Sequence, residues 1–164
     1  MGMNAMIPII LKRINRYISF LVVLISLVSC QPSTHFEETV EFDHNNWVKF
    51  NDLNFNIPVE AGKTYSFNGS ITVDSTYTRR KLEMGFYLYL PDDAQRLEDK
   101  TIRIRDFEYQ PLGHKTDKGY VLKQNFKQKL RINESGILKL KMVLHSSHLN
   151  NYGIKKLKII VIED

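Results

Sequence analysis

The chain has 164 residues, 43% of them hydrophobic, with a single cysteine and a formal net charge of +5. That length holds one domain with a core of its own, and no disulfide is needed to close it. Three of the 23 basic residues (Lys12, Arg13 and Arg16) and none of the 18 acidic ones fall within positions 1–29, so the rest is nearly neutral and no nucleic acid is expected as a partner.

The first element reads as a secretory leader. Its basic start is followed by an apolar run over residues 17–28 (YISFLVVLISLV) and then by Leu27-Val28-Ser29-Cys30. The run is well short of the roughly 20 residues that cross a bilayer as a helix. The ending resembles the lipobox of bacterial lipoproteins, where the cysteine takes a diacylglycerol through a thioether and becomes the new N-terminus. Residues 1–29 are therefore expected to be removed, Cys30 to be lipidated, and 30–35 to serve as a polar tether. Membrane lipid, held through Cys30, is the first expected partner. Each buried acyl CH₂ contributes about 0.8 kcal/mol, so two or three chains hold a domain almost permanently. Gln31 is not a retention signal of the Asp type, which favours the outer membrane, on either face.

Residues 36–164 read as one β-domain. Period-two alternation recurs along them, and no stretch of ten residues carries a 3.6 period. Tyr65, Phe67, Ile71 and Val73 share one strand face. Leu82, Met84, Phe86, Leu88 and Leu90 share another, with Tyr87 and Tyr89 opposite. Leu138, Leu140, Met142 and Leu144 alternate with Lys139, Lys141, Val143 and His145, and Leu157, Ile159 and Val161 alternate with Lys156 and Lys158. Ile102 and Ile104 alternate with Arg103 and Arg105, and a phase shift to Phe107 and Tyr109 suggests a bulge. Weaker strands are expected at 36–42, 53–57, 120–124 and 129–132, and one helical turn within 92–100. Turn residues separate these segments, as in Glu60-Ala61-Gly62 and Asn133-Glu134-Ser135-Gly136. The fold class expected is all-β, an antiparallel sandwich of jelly-roll type. Its last strand, 155–163, is expected at a sheet edge, guarded by lysines.

Catalytic patterns are missing. His145 and His148 are three apart but sit at a strand end with no cysteine or nearby carboxylate to complete a metal shell. Asp43-His44 has Ser33 or Ser75 as paper partners, yet no G-x-S-x-G elbow exists. Asp92, Asp93, Glu98 and Asp99 lie in one polar stretch and read as solvated acids. No phosphate loop is present. The chain is not expected to be an enzyme or to carry a cofactor or metal.

Aromatic residues give the binding candidates: Trp47, Tyr77, Tyr87 and Tyr89 could present rings to a glycan or a protein partner. The competing reading puts Trp47, the sole tryptophan, at one end of the core. Asp74-Ser75-Thr76 also matches a short O-glycosylation signal used on exported proteins in Bacteroidota.

Several features together resemble the gliding-motility lipoproteins of the GldH type from Bacteroidota. They are Trp47 with Asp52, Phe55-Asn56-Ile57, Tyr65-Ser66-Phe67, Tyr77 ahead of a long strand ending at Pro91-Asp92, and Leu149-Asn150-Asn151-Tyr152-Gly153-Ile154 before the last strand. Lys118-Gly119-Tyr120 and Leu144-His145 depart from the family's aromatic-glycine and Met-Arg segments, as in a divergent member. The resemblance implies a non-catalytic envelope lipoprotein that serves a surface or export machine, with an envelope protein as partner. The alternative is a surface lipoprotein whose sandwich binds glycan or host ligand.

Overall fold

The computed structural model describes residues 34–164; the leader, Cys30 and the residues up to 33 lie outside it. Nine strands follow in order: β1 (Thr34–Glu41), β2 (Leu53–Val59), β3 (Thr64–Val73), β4 (Lys81–Tyr89), β5 (Gln95–Arg103), β6 (His114–Thr116), β7 (Gly119–Arg131), β8 (Gly136–Leu144) and β9 (Ile154–Glu163). They form an all-β sandwich. One sheet has the order β1-β9-β3-β7-β6 and the other β2-β8-β4-β5, with every pairing antiparallel.

The alternation in the sequence becomes the core directly. In β2 every second residue is buried, from Leu53 through Phe55 and Ile57 to Val59, while Asn54, Asn56 and Pro58 face out. Leu82, Met84, Phe86 and Leu88 of β4 point inward with Leu138, Leu140 and Met142 of β8. Across the gap, Phe67 of β3 meets Phe86 edge-on at 6.0 Å, and Phe126 of β7 stacks on Phe86 at 5.4 Å. These rings lock the two sheets together, an arrangement worth about 0.5–1.5 kcal/mol per pair beyond burial.

Four expectations are corrected. The 92–100 segment forms no helical turn; it enters β5, paired along its length with β4. The two weak strands at 120–124 and 129–132 are one strand, β7. Its register against β3 shifts at Phe67 on both sides, and Lys129 sits at φ 51°. Such bulges break the period of two, so one strand reads as two fragments. The final strand is not an edge: β9 lies between β1 and β3. Its lysines point out from the sheet face, where Lys158 pairs with Glu37 at 2.7 Å, and they guard nothing. Lastly, the strand begins at Thr34, inside the expected tether. Thr34 pairs with Ile162, and the His35 ring lies 4.9 Å from that of Tyr65.

Apart from the buried Ile102, the inner positions of edge strand β5 are charged. Glu98 and Lys100 lie opposite the buried Phe86 and Met84, and Lys127 reaches across from β7 to bridge Glu98 along with Lys100. Inward charges of this kind blunt an edge against stray pairing. Hydrogen bonds from Lys100 and Lys127 hold the Glu98 carboxyl below the usual carboxylate range. A depressed native pKa gives stability that is present above the unfolded pKa and lost as pH falls through the folded one. The Tm deficit of Glu98→Gln at neutral pH should therefore shrink below about pH 4. An equal deficit at both pH values would contradict the ion-pair account.

Candidate functional site

Antiparallel register brings four connections to one end of the sandwich. Val73 lies beside Ile154, Lys81 beside Arg103 and Leu53 beside Met142, so segments 42–52, 74–80, 104–113 and 145–153 emerge together. Thr34 and the residue following Glu163 lie at the other end, where Asp164 donates its N–H to Thr64 O at 3.0 Å.

Asn151, only 1% exposed, ties three of these connections to one another. Its Nδ2 donates to Trp47 O at 3.0 Å and His148 O at 3.3 Å. Its Oδ1 accepts from Arg79 at 2.7 Å and Ser146 at 2.6 Å, while its backbone N–H bonds Asn46 Oδ1 at 2.7 Å. Arg105 braces the 104–113 segment. It donates to Tyr77 O at 2.9 and 2.7 Å, to Ser75 O at 3.2 Å and to Tyr109 O at 2.8 Å. Asp106 Oδ1 caps the same segment by accepting the N–H groups of Glu108 and Gln110. Gly153 completes the fit. With φ at 89°, it leaves room for Tyr77, whose N would lie 2.3 Å from an added Cβ.

On this braced frame stand Phe50, Phe107, Tyr109, Leu112, Leu149 and Tyr152, all exposed, with Phe107 at 77%. Seven of the ten exposed large hydrophobics among the described residues, Val48 included, sit at this end. Such crowding is not ordinary surface scatter. Beside Tyr109 lies a concavity of about 450 Å³, lined also by Arg79, Arg80, His145 and Ser146. The Arg80 guanidinium lies 4.3 Å over the Phe107 ring and 5.8 Å from that of Tyr109, with Nε donating to Asp106 O at 3.1 Å. Stacking fixes the plane of that guanidinium without using its remaining N–H donors.

The residues singled out from sequence part company here. Trp47 is fully buried, stacked 5.0 Å from Phe42, with Nε1 donating to Asn51 O at 2.9 Å. Tyr77 is buried as well. Its hydroxyl donates to Lys81 O at 2.9 Å, and burial pushes its pKa up to about 12. Neither ring can meet a ligand: Tyr77 is corrected from surface to core, and for Trp47 the core reading holds and the surface one falls, because an aromatic with one polar atom is well satisfied where a loop carbonyl lies over the core. Tyr87 and Tyr89 do face out, on the four-stranded sheet. The ring edge of Tyr87 lies over Gly85, so that an added Cβ would come within 2.3 Å of it. In Asp74-Ser75-Thr76 the carboxylate accepts from Thr76 N at 2.8 Å and Thr76 Oγ1 at 2.5 Å, leaving Ser75 and Thr76 exposed. His145 lies 3.5 Å from Asp99 and His148 2.8 Å from Ser147 Oγ. Among the described residues no three His, Cys, Asp or Glu side chains gather as metal ligands would. Cys30 lies outside the described residues.

No protein-family model matches the chain, nor does any curated protein. Among solved structures it is similar to the infectious bursal disease virus VP2 subviral particle, at 12% identity and a TM-score of 0.37, over 83% of this chain and 36% of that one. A structure of the Gx strain of the same virus gives 12% identity, a TM-score of 0.34 and coverage of 80% and 38%. The chain thus spans little more than a third of the chains it matches, and at these scores the likeness bears on neither function nor partners.

Proposed function

We propose that this protein is a lipid-anchored component of the cell envelope, in the outer membrane, that works by docking another envelope protein and without turnover. The machine it serves is of the gliding or export type that the family resemblance implies. One observation carries the docking reading: exposed aromatic and aliphatic side chains crowd the braced loop end, with a stacked arginine among them. Arg and Tyr anchors amid apolar neighbours are what protein interfaces draw their energy from. The burial of Trp47 supports the same choice, because it removes the ring best suited to stack on sugar.

Cells fed a palmitate analogue and carrying a photo-crosslinking residue in place of Phe107 test the whole reading. A labelled protein forming one discrete adduct is expected, with no adduct when the crosslinker replaces Ile137, which is exposed at the other end. Cys30→Ala should lose the label. Equal labelling of Cys30→Ala would refute the anchor, and no adduct from position 107 would refute the docking.

A second reading rests on Tyr87 and Tyr89. With Lys141 and Lys139 opposite them in register, and Asn54 and Asn56 opposite those lysines on the next strand, they give the four-stranded sheet a polar-aromatic outer face suited to a glycan. Polysaccharide binding that disappears with Tyr87→Ala, with no protein adduct, would favour it.

A further inference from the structure

The five-stranded sheet carries a smaller concavity, about 350 Å³, on its outer face near the start of β9. Its making begins with a bulge. Thr72 pairs with Lys156 but Val73 pairs with Ile154, so Lys155 has no partner on β3 and is extruded beside Lys156. Lys118, from the turn that leads into β7, closes the other side. Three ammonium groups therefore line one small space. Among the described residues none of them is in an ion pair, although six other lysines are. Glu41 also lines the space and faces Lys156 across the strands without pairing with it. Three positive charges against one negative leave an uncompensated excess.

The second observation is independent of the lysines. Thr72, 1% exposed, is one of the residues that line this space, and its hydroxyl oxygen is buried with no hydrogen-bond partner among the described residues. A buried hydroxyl left unpaired is unfavourable, and native chains keep few of them. Here the orphan is a donor on a residue that lines a cationic pocket.

We propose that this concavity binds a phosphate-class oxyanion. The ammonium groups of Lys118, Lys155 and Lys156 neutralise its charge, and Thr72 Oγ1 donates to one of its oxygens. Lysines suit a tetrahedral group because each acts as a point charge and needs no planar match, unlike the fork of an arginine on a carboxylate. Phosphomonoesters and the phosphodiester of a lipid headgroup share this chemistry. The site stands whether or not the loop end docks a protein.

Titration calorimetry of the full-length protein in a neutral detergent tests it, with glycerol 3-phosphate and glycerophosphoglycerol as the two probes. Saturable binding is expected for at least one. A preference for the monoester marks a soluble phosphorylated ligand, and a preference for the diester marks a lipid headgroup. Lys155→Gln/Lys156→Gln should weaken the preferred probe by roughly tenfold or more, the scale of a lost charge-assisted hydrogen bond. Thr72→Val should weaken it too while raising Tm in the absence of probe, since it removes the unpaired hydroxyl. No saturable binding of either probe would overturn the proposal. So would unchanged affinity in the double lysine variant at wild-type Tm. Unchanged affinity in Thr72→Val would overturn it as well, because the hydroxyl would then not reach the bound oxyanion.

Discussion

Trp47→Ala should cost about 3–5 kcal/mol of folding stability, the range for removing a large aromatic from a core. Three losses combine. The ring is fully buried, so its whole apolar area returns to a void or to water. Its stack on Phe42, centroids 5.0 Å apart, disappears. The Asn51 carbonyl, which accepts from Nε1 at 2.9 Å, loses that partner. Chemical unfolding of the full-length variant in detergent, monitored by circular dichroism, measures the effect. Trp47→Phe should recover much of the packing but not the hydrogen bond. A Trp47→Ala protein within 1 kcal/mol of wild type, set against the roughly 3 kcal/mol expected at minimum, would return this residue to the surface.

Asn151→Leu should destabilise by about 2–3 kcal/mol even though it adds apolar bulk, because it strands polar groups that the amide satisfies. Trp47 O and His148 O lose donors, while Arg79 Nη1 and Ser146 Oγ lose an acceptor. The effect is not confined to stability. Three loop segments are positioned through this one side chain, and Arg105 hangs the fourth on one of them, so the presentation of Phe107, Leu149 and Tyr152 should loosen before the sheets melt. Amide exchange in segments 42–52 and 145–153 should rise while that of β4 and β8 stays protected. Uniform acceleration across the sandwich would mean that the amide is merely one more core contact.

Some of this was legible in the residues and some could not be. The inner faces of β2, β4 and β8 were legible because burial on one side writes a period of two into the chain. The first part of β5 was not, since an edge strand with Glu98 and Lys100 facing inward has the composition of a loop, and only Ile102 and Arg103 at its end showed alternation. The lysines of β9 misled for a related reason: alternation reports which face a residue takes and says nothing of which strand lies beside it. Phe107 and Tyr109, two apart, share the spacing of a strand face, yet Asp106 caps them into a turn with Tyr109 at φ 62°. The candidate site is assembled from segments a hundred residues apart, as the Asn46–Asn151 bond shows. No local pattern announces such a meeting. Trp47 was readable only as a choice between two environments, and packing against Phe42 decided it.

The central place of β9 sets the order in which this domain can mature. β1 is made first among the described strands, yet its only sheet neighbour is the last one. Until Ile154–Glu163 arrives, β1 has nothing to pair with, and β3 is open on one side along a row of unmet amides. Pairing the first strand with the last closes the longest loop the domain contains, a slow step with a high entropic barrier. A ribosome-bound chain therefore cannot acquire its native five-stranded sheet, whereas the β2-β8-β4-β5 sheet can form before β9 arrives. A stop codon placed just before Ile154 would leave it permanently unfinished, with β1 and β3 exposed as aggregation templates.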